Sequence, residues 1–192
     1  MRETAICVVV TGLQCAGKTR FLRVSRQQGC ATLEWSEVIY DDLGRPGTED
    51  RGQWLRCVAQ RVKQKGPGYY PSIVFHRLAS AGGAMHVVSG ARNPAELGEL
   101  LGMYANVAVV WVEADATIRF RRSRTRARLD APASFVEFIR HDHEELSGGL
   151  AAIAAQHVTH HVVNNGSNES YSRSISRLLE DLKEGSKGVV GV

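Results

Sequence analysis

Gly12, four residues, then Gly17, Lys18 and Thr19 form a stretch in which residue type and spacing together dictate a chemistry. This is the phosphate-binding pattern G-x-x-x-x-G-K-[ST]. The two glycines permit backbone conformations that a Cβ would block, so successive N–H groups and the start of the following helix can converge on a polyphosphate. Contacts to such an anion are expected from Gly12, Cys15, Ala16, Gly17, Lys18, Thr19 and Arg20. Lys18 is placed to reach the β- and γ-phosphates and is the first catalytic candidate; the Thr19 hydroxyl is the candidate ligand for Mg²⁺. The flanks agree with this reading. Ile6–Thr11 is an apolar run of strand length, and an amphipathic helix begins at about Gly17.

A second constellation is cationic. Arg119, Arg121, Arg122, Arg124, Arg126 and Arg128 fall within about three helical turns. Pairs such as Arg122/Arg126 and Arg124/Arg128 repel at i,i+4, each by roughly 0.2–0.5 kcal/mol in an isolated helix, a penalty offset if a polyphosphate lies among them. Arg122 and Arg126 share one face, with Arg119 behind them. A nucleic-acid surface is disfavoured because the cluster lacks interleaved aromatic residues. The histidines do not form a metal site by spacing. His141 and His143 point apart on a helix, and adjacent His160 and His161 face opposite sides of a strand.

The elements that must position these groups alternate between strand and helix. Strands are expected at Ile6–Thr11, Cys30–Trp35, Met85–Ser89, Val107–Val112 and His160–Val163. A helix follows the glycine loop, and Ser36 is read as the N-cap of the next. Breakers at Gly44, Pro46 and Gly47 precede a helix over Asp50–Lys65, and another runs from Tyr70 to Ala81. Asn93, Pro94 and Glu96 make a strong helix start that holds Arg92 at the end of the third strand. Helices over Asp115–Leu129 and Ser134–Leu146 meet at Asp130-Ala131-Pro132, and Ser167–Lys183 is the last. Such alternation gives a parallel α/β sheet whose ligands bind at the carboxyl ends of its strands.

At 192 residues and 43% hydrophobic, the chain is sized for one domain, 1–184, with a tail over 185–192 expected to be disordered. Apolar stretches are strand-sized and MRET has no basic, apolar leader, so neither a membrane span nor a signal peptide is expected. Cys7, Cys15, Cys30 and Cys57 show no C-x-x-C spacing and fit free thiols of a cytoplasmic protein.

The loop GLQCAGKT, the helical excursion before strand three, SGARNPAEL, RFRRSRTRARLD with FIRHDHEEL, and VVNNGS before the last helix together resemble the P-loop nucleotide kinases of the adenylate kinase and dephospho-CoA kinase type. Within these the chain is most similar to uncharacterised adenylate-kinase-like proteins carrying D-G-x-R-x-x-x-E and R-D-x-x-E stretches. The resemblance implies a P-loop NTPase fold, a five-stranded parallel sheet flanked by helices, with core segments 1–35, 84–114 and 148–184. It also implies a substrate-binding insertion over 36–83 and a lid over 115–147 that carries Arg122 and Arg126 as catalytic groups. Arg92 resembles the arginine that grips an acceptor phosphate, Asn164 the turn beside adenine, and Glu37 and Asp41 fall in the acceptor region. The implied activity uses ATP and Mg²⁺ to phosphorylate a small nucleotide-like acceptor, a nucleoside or deoxynucleoside monophosphate. A hydroxyl kinase of the dephospho-CoA type and a nucleotide-binding regulator with a weak or dead site stay open. The chain departs from the pattern at Ser89, where those proteins carry the aspartate that orders Mg²⁺, and at His141.

Overall fold

A computed structural model describes residues 3–45, 51–126 and 132–187. Pro46, Gly47, Arg128, the Asp130-Ala131 junction and residues 188–192 of the expected tail lie outside these residues, whereas residues 185–187 of that tail are helical and end the last helix, Asn168–Lys187. The hydrophobic run of β1, Glu3–Thr11, is buried from Ala5 to Thr11 because it forms the middle strand of a sheet covered on both faces. The remaining strands are β2 (Ala31–Glu34), β3 (Met85–Ser89), β4 (Tyr104–Glu113) and β5 (His160–Val163), ordered β2-β3-β1-β4-β5 and all parallel.

Alternation along β1 sorts its side chains between two cores. Ile6, Val8 and Val10 face α1 (Lys18–Gln27) and α9 (Asn168–Lys187), meeting Phe21, Leu22, Tyr171, Ile175 and Leu179. Cys7 and Val9 face the opposite layer. Its helices are α2 (Trp35–Leu43), α4 (Tyr69–Ala81), α5 (Pro94–Gly102) and α8 (Ala151–Gln156), which contribute Trp35, Tyr70, Val74, Leu97 and Ile153. Between α2 and α4 runs α3, Arg51–Lys65, with Val58 and Val62 packed on this core. After β4 come α6, Ala116–Arg126, and α7, Phe135–Glu145. No helix among the described residues is long and apolar enough to cross a membrane.

Several local expectations need correction. Ser36 does not cap α2: the helix already begins at Trp35, with Glu34 in the cap position and no side-chain cap bond, because strand β2 passes directly into it. Strand β4 begins at Tyr104 rather than Val107, where the Tyr104 ring is buried and its hydroxyl meets His86 Nδ1 at 2.9 Å. The segment after α7 is helical too. A π-type turn over Leu146–Leu150 joins α7 to α8, broken at Gly149, whose φ of 130° is open to glycine. A Cβ there would overlap the Arg92 carbonyl oxygen and press on Pro94. The wide turn thus lets the helical pair lie directly on the loop that carries Arg92.

Candidate functional site

The glycine loop runs from the end of β1 into α1 and is built around backbone constraints. Gly12 has φ 131° and Gly17 φ 123°; a Cβ at the first would overlap Val112 O, and at the second the Asn164 amide. Cys15 has φ 58° and is the non-glycine residue with positive φ among the described residues. That left-handed residue folds the backbone into a concavity of N–H groups, the form that cradles anions. No hydrogen-bond partner within the described chain takes the N–H groups of Cys15, Gly17, Lys18, Thr19 or Arg20. The orphan donors of a helix N-terminus therefore lie open beside it.

Lys18 folds back over this concavity. Its ammonium donates to Gly12 O at 2.5 Å and Leu13 O at 2.9 Å. Burial, with repulsion from Arg92 added, pulls its pKa from 10.5 down to about 8, while Glu145 acts the other way. A cleft of about 360 Å³ lies between the loop and α6, lined by Cys15, Gly17, Arg20, Arg122, Arg126 and Asn164. Its size suits a small ligand. Arg122 is half-buried, donating through Nη2 to Asn164 O at 2.9 Å and Oδ1 at 3.2 Å, and burial lowers its pKa. Arg126 is exposed one turn further along. Arg20 reaches across to α9, donating to Ser172 Oγ at 3.2 Å and 3.0 Å.

Asn164 is buried and its amide donates to Ala16 O at 2.6 Å, while the Tyr171 hydroxyl donates to Gly17 O at 3.3 Å. The turn after β5 therefore fixes the shape of the loop. Arg119 lies behind Arg122 in a two-pronged ion pair with Asp142, at 2.8 Å and 2.7 Å, both side chains buried. Its Nε donates to Ala114 O at 2.9 Å and the guanidinium lies over Phe138. Glu137 pairs with no arginine among the described residues; its carboxylate accepts from Ala133 N at 2.8 Å, while Ser134 at the N-cap of α7 accepts from Glu137 N at 3.1 Å.

The remaining sequence-selected residues lie outside this cleft. Arg92, 51% exposed at its side chain, pairs with Glu145 at 3.0 Å at the carboxyl end of β3. Asp41 pairs with Arg77 at 2.6 Å on α2, and Glu37 is exposed there with no partner among the described residues. Neighbouring Asp42 holds Arg61 at 3.0 Å and accepts from Tyr70 at 3.0 Å, so it braces α2 against α3 and α4. Three participants were missed by sequence reasoning: Gln14, Asp142 and Glu145. Gln14 N donates to Glu145 at 3.2 Å, and Gln14 O accepts a long bond of 3.4 Å from Arg119. The D-x-x-E spacing of Asp142 and Glu145, which puts both on one helix face, was the available signal.

A phosphate loop between β1 and α1, in a parallel sheet ordered 2-3-1-4-5 with helices on both faces, defines a P-loop α/β protein. Comparisons with known proteins agree. The chain is 27% identical to a UPF0200 protein of Saccharolobus islandicus across 93% of this chain and 95% of that one. It is 24% identical to UPF0200 protein TK1334 of Thermococcus kodakarensis, across 91% and 97%. It matches no family model. Among solved structures, TT1252 from Thermus thermophilus superposes with a TM-score of 0.61 at 16% identity, covering 94% of this chain and 99% of that one. A gluconokinase from Sinorhizobium meliloti gives 0.58 at 18% identity over 97% and 99%, and a shikimate kinase from Bacteroides thetaiotaomicron 0.57 at 14% over 93% and 98%. These likenesses show the fold: a five-stranded parallel α/β sheet flanked by helices.

Proposed function

We propose that this chain is an ATP-dependent phosphotransferase acting on a small nucleotide-like acceptor, a nucleoside or deoxynucleoside monophosphate. One observation carries the reading: the loop has unclaimed N–H groups, and its Cys15 and Gly17 line a cleft whose other wall holds Arg122 and Arg126. A bound triphosphate satisfies donors that otherwise have no partner. In that role Lys18 exchanges the Gly12 and Leu13 carbonyls for phosphate oxygens, and Arg122 and Arg126 meet the charge that moves during transfer. Mg²⁺ held by the Thr19 hydroxyl would neutralise charge between the β- and γ-phosphates. Ser89, buried where β3 ends, has no negative charge to offer a metal's water shell, so Thr19 would be the residue left to hold Mg²⁺. Arg92 supplies a half-exposed cation on the acceptor side. A monophosphate acceptor presents an oxygen already largely ionised near neutral pH, so positioning suffices.

A hydroxyl acceptor is the second reading, favoured by Glu34. This half-buried carboxylate ends β2 in register with Ser89 and has no hydrogen-bond or ion-pair partner in the described chain. It is the carboxylate best placed in the topology to serve a hydroxyl as base. The shikimate kinase and the gluconokinase among the structural neighbours support it. The test is phosphate transfer from Mg-ATP to a panel of nucleoside monophosphates, sugars and hydroxy acids, with Lys18→Ala as control. Transfer to a monophosphate, lost in the control, is expected. Transfer only to a hydroxyl moves the reading to the second form. ATP binding without transfer to any acceptor makes the chain a nucleotide-binding regulator, and absence of ATP binding overturns the site altogether.

A further inference from the structure

We propose that Glu145 is a positioning residue that couples the acceptor-side cation Arg92 to the phosphate loop, so that an anion arriving at Arg92 changes how the loop holds ATP. The inference rests on the phosphotransferase reading and extends it to communication between the two halves of the site.

The geometry is that of a bridge. One carboxylate oxygen of Glu145 pairs with Arg92 Nη1 at 3.0 Å, and the other accepts the N–H of Gln14, inside the loop, at 3.2 Å. The Glu145 side chain is only 13% exposed, whereas Arg92 is 51% exposed and open to an incoming anion. Behind the bridge the frame is fixed. Asp142, one turn earlier on α7, holds Arg119, whose Nη1 donates both to Asp142 Oδ1 and, at 3.4 Å, to Gln14 O, and Gly149 lies against the Arg92 carbonyl. Gln14 is thus held on its N–H by Glu145 and on its C=O by Arg119, both fixed by the same helix face. A motion of the Arg92 side chain reaches the loop through this carboxylate, whose two oxygens are both engaged.

An oxyanion bound to the free face of Arg92 draws the guanidinium from Glu145. The carboxylate then gives its charge undivided to Gln14 N–H and to Lys18, on which Arg92 and Glu145 already act with opposite sign. Both changes favour the loop conformation and the lysine charge that a triphosphate requires. Acceptor-side and donor-side binding are then cooperative, with Glu145 as the link.

Inorganic phosphate is the probe. Mg-ATP affinity is measured by calorimetry with and without phosphate for the native protein, Glu145→Gln, Glu145→Asp and Arg92→Gln, with folding checked by circular dichroism. Competition by phosphate at the loop itself is common to all four and cancels between them. The ratio of affinities with and without phosphate should be about fivefold higher in the native protein than in Glu145→Gln or Arg92→Gln, at the lower end of measured couplings. Glu145→Asp, which keeps the charge, should recover part of it. Equal ratios in the native protein and Glu145→Gln, with ATP still bound by both, overturn the inference while leaving the proposed function standing. Loss of the ratio in Glu145→Gln but not in Arg92→Gln also overturns it, because the effect would then be structural. No ATP binding by the native protein overturns the functional reading, and this inference with it.

Discussion

Replacing Lys18 by methionine should make the protein more stable at neutral pH while removing nucleotide binding. The ammonium stands where burial pulls its pKa from 10.5 to about 8, so the fold resists the charged form. Each pH unit of such displacement is worth about 1.4 kcal/mol, so holding the charge at pH 7 costs on the order of 3 kcal/mol. Methionine of similar length escapes that cost but leaves the Gly12 and Leu13 carbonyls without their donor, at about 1 kcal/mol each. The net expectation is a gain of about 1 kcal/mol for Lys18→Met at pH 7. The sign with pH follows from the lowered value. Between about 8 and 10.5 the unfolded chain binds the proton more tightly than the folded one, so native stability rises across that window. The advantage of methionine therefore exists below pH 8 and is gone, or reversed, by pH 10.5. Urea unfolding at pH 7 and pH 10, with calorimetry for Mg-ATP, measures both halves. A variant less stable by the same amount at both pH values would show that burial does not penalise the ammonium. The picture of a charge held ready for phosphate would then fail.

The buried pair gives the second expectation: Asp142→Ala, leaving Arg119 charged and unpartnered, should lose about 3–5 kcal/mol in urea unfolding. Arg119→Met with Asp142→Leu should recover most of that, and an equal loss in both would contradict the desolvation argument. Glu96 supplies the third. Buried without a partner in the described chain, its pKa is pushed up from 4.5 to about 7, so its contribution is complete below 4.5 and lost as pH rises through 7. Glu96→Gln should match the native protein near pH 4.5 and exceed it by up to about 3 kcal/mol at pH 8; a difference independent of pH would refute this.

The parts of this architecture legible in the sequence were those written locally. The loop was fixed by four letters in order, the central strands by apolar runs, and the start of α5 by Asn93, whose side chain accepts from Ala95 N at 2.9 Å. The arginine cluster was also legible, including the order of Arg119 behind Arg122. What could not be read were contacts between distant segments. Glu145 meets Gln14 across 131 positions and Asn164 meets Ala16 across 148, so no window of sequence contains either pair. Glu37 and Asp41 were carried over from the resemblance as acceptor-region residues, yet Asp41 is occupied by Arg77, a contact between distant segments. The segment after Leu146 was not read as helix because two glycines, Gly148 and Gly149, lower helix propensity there; packing against the Arg92 loop overrides it.

That wide turn also sets the phase of everything after it. An α-helix turns by about 100° per residue, so the surplus backbone at Leu146–Leu150 rotates α8 relative to the face that α7 presents. Asp142 and Glu145 can face the loop while Ile153, a few residues on, is fully buried in the sheet-side core. A straight helix through the same residues would have to choose between those two faces. The kink at Gly149 is therefore the point at which the chain passes from a helix that faces the ligand cleft to one that faces the core. A deletion or insertion of a single residue there would turn one of the two away from its partner.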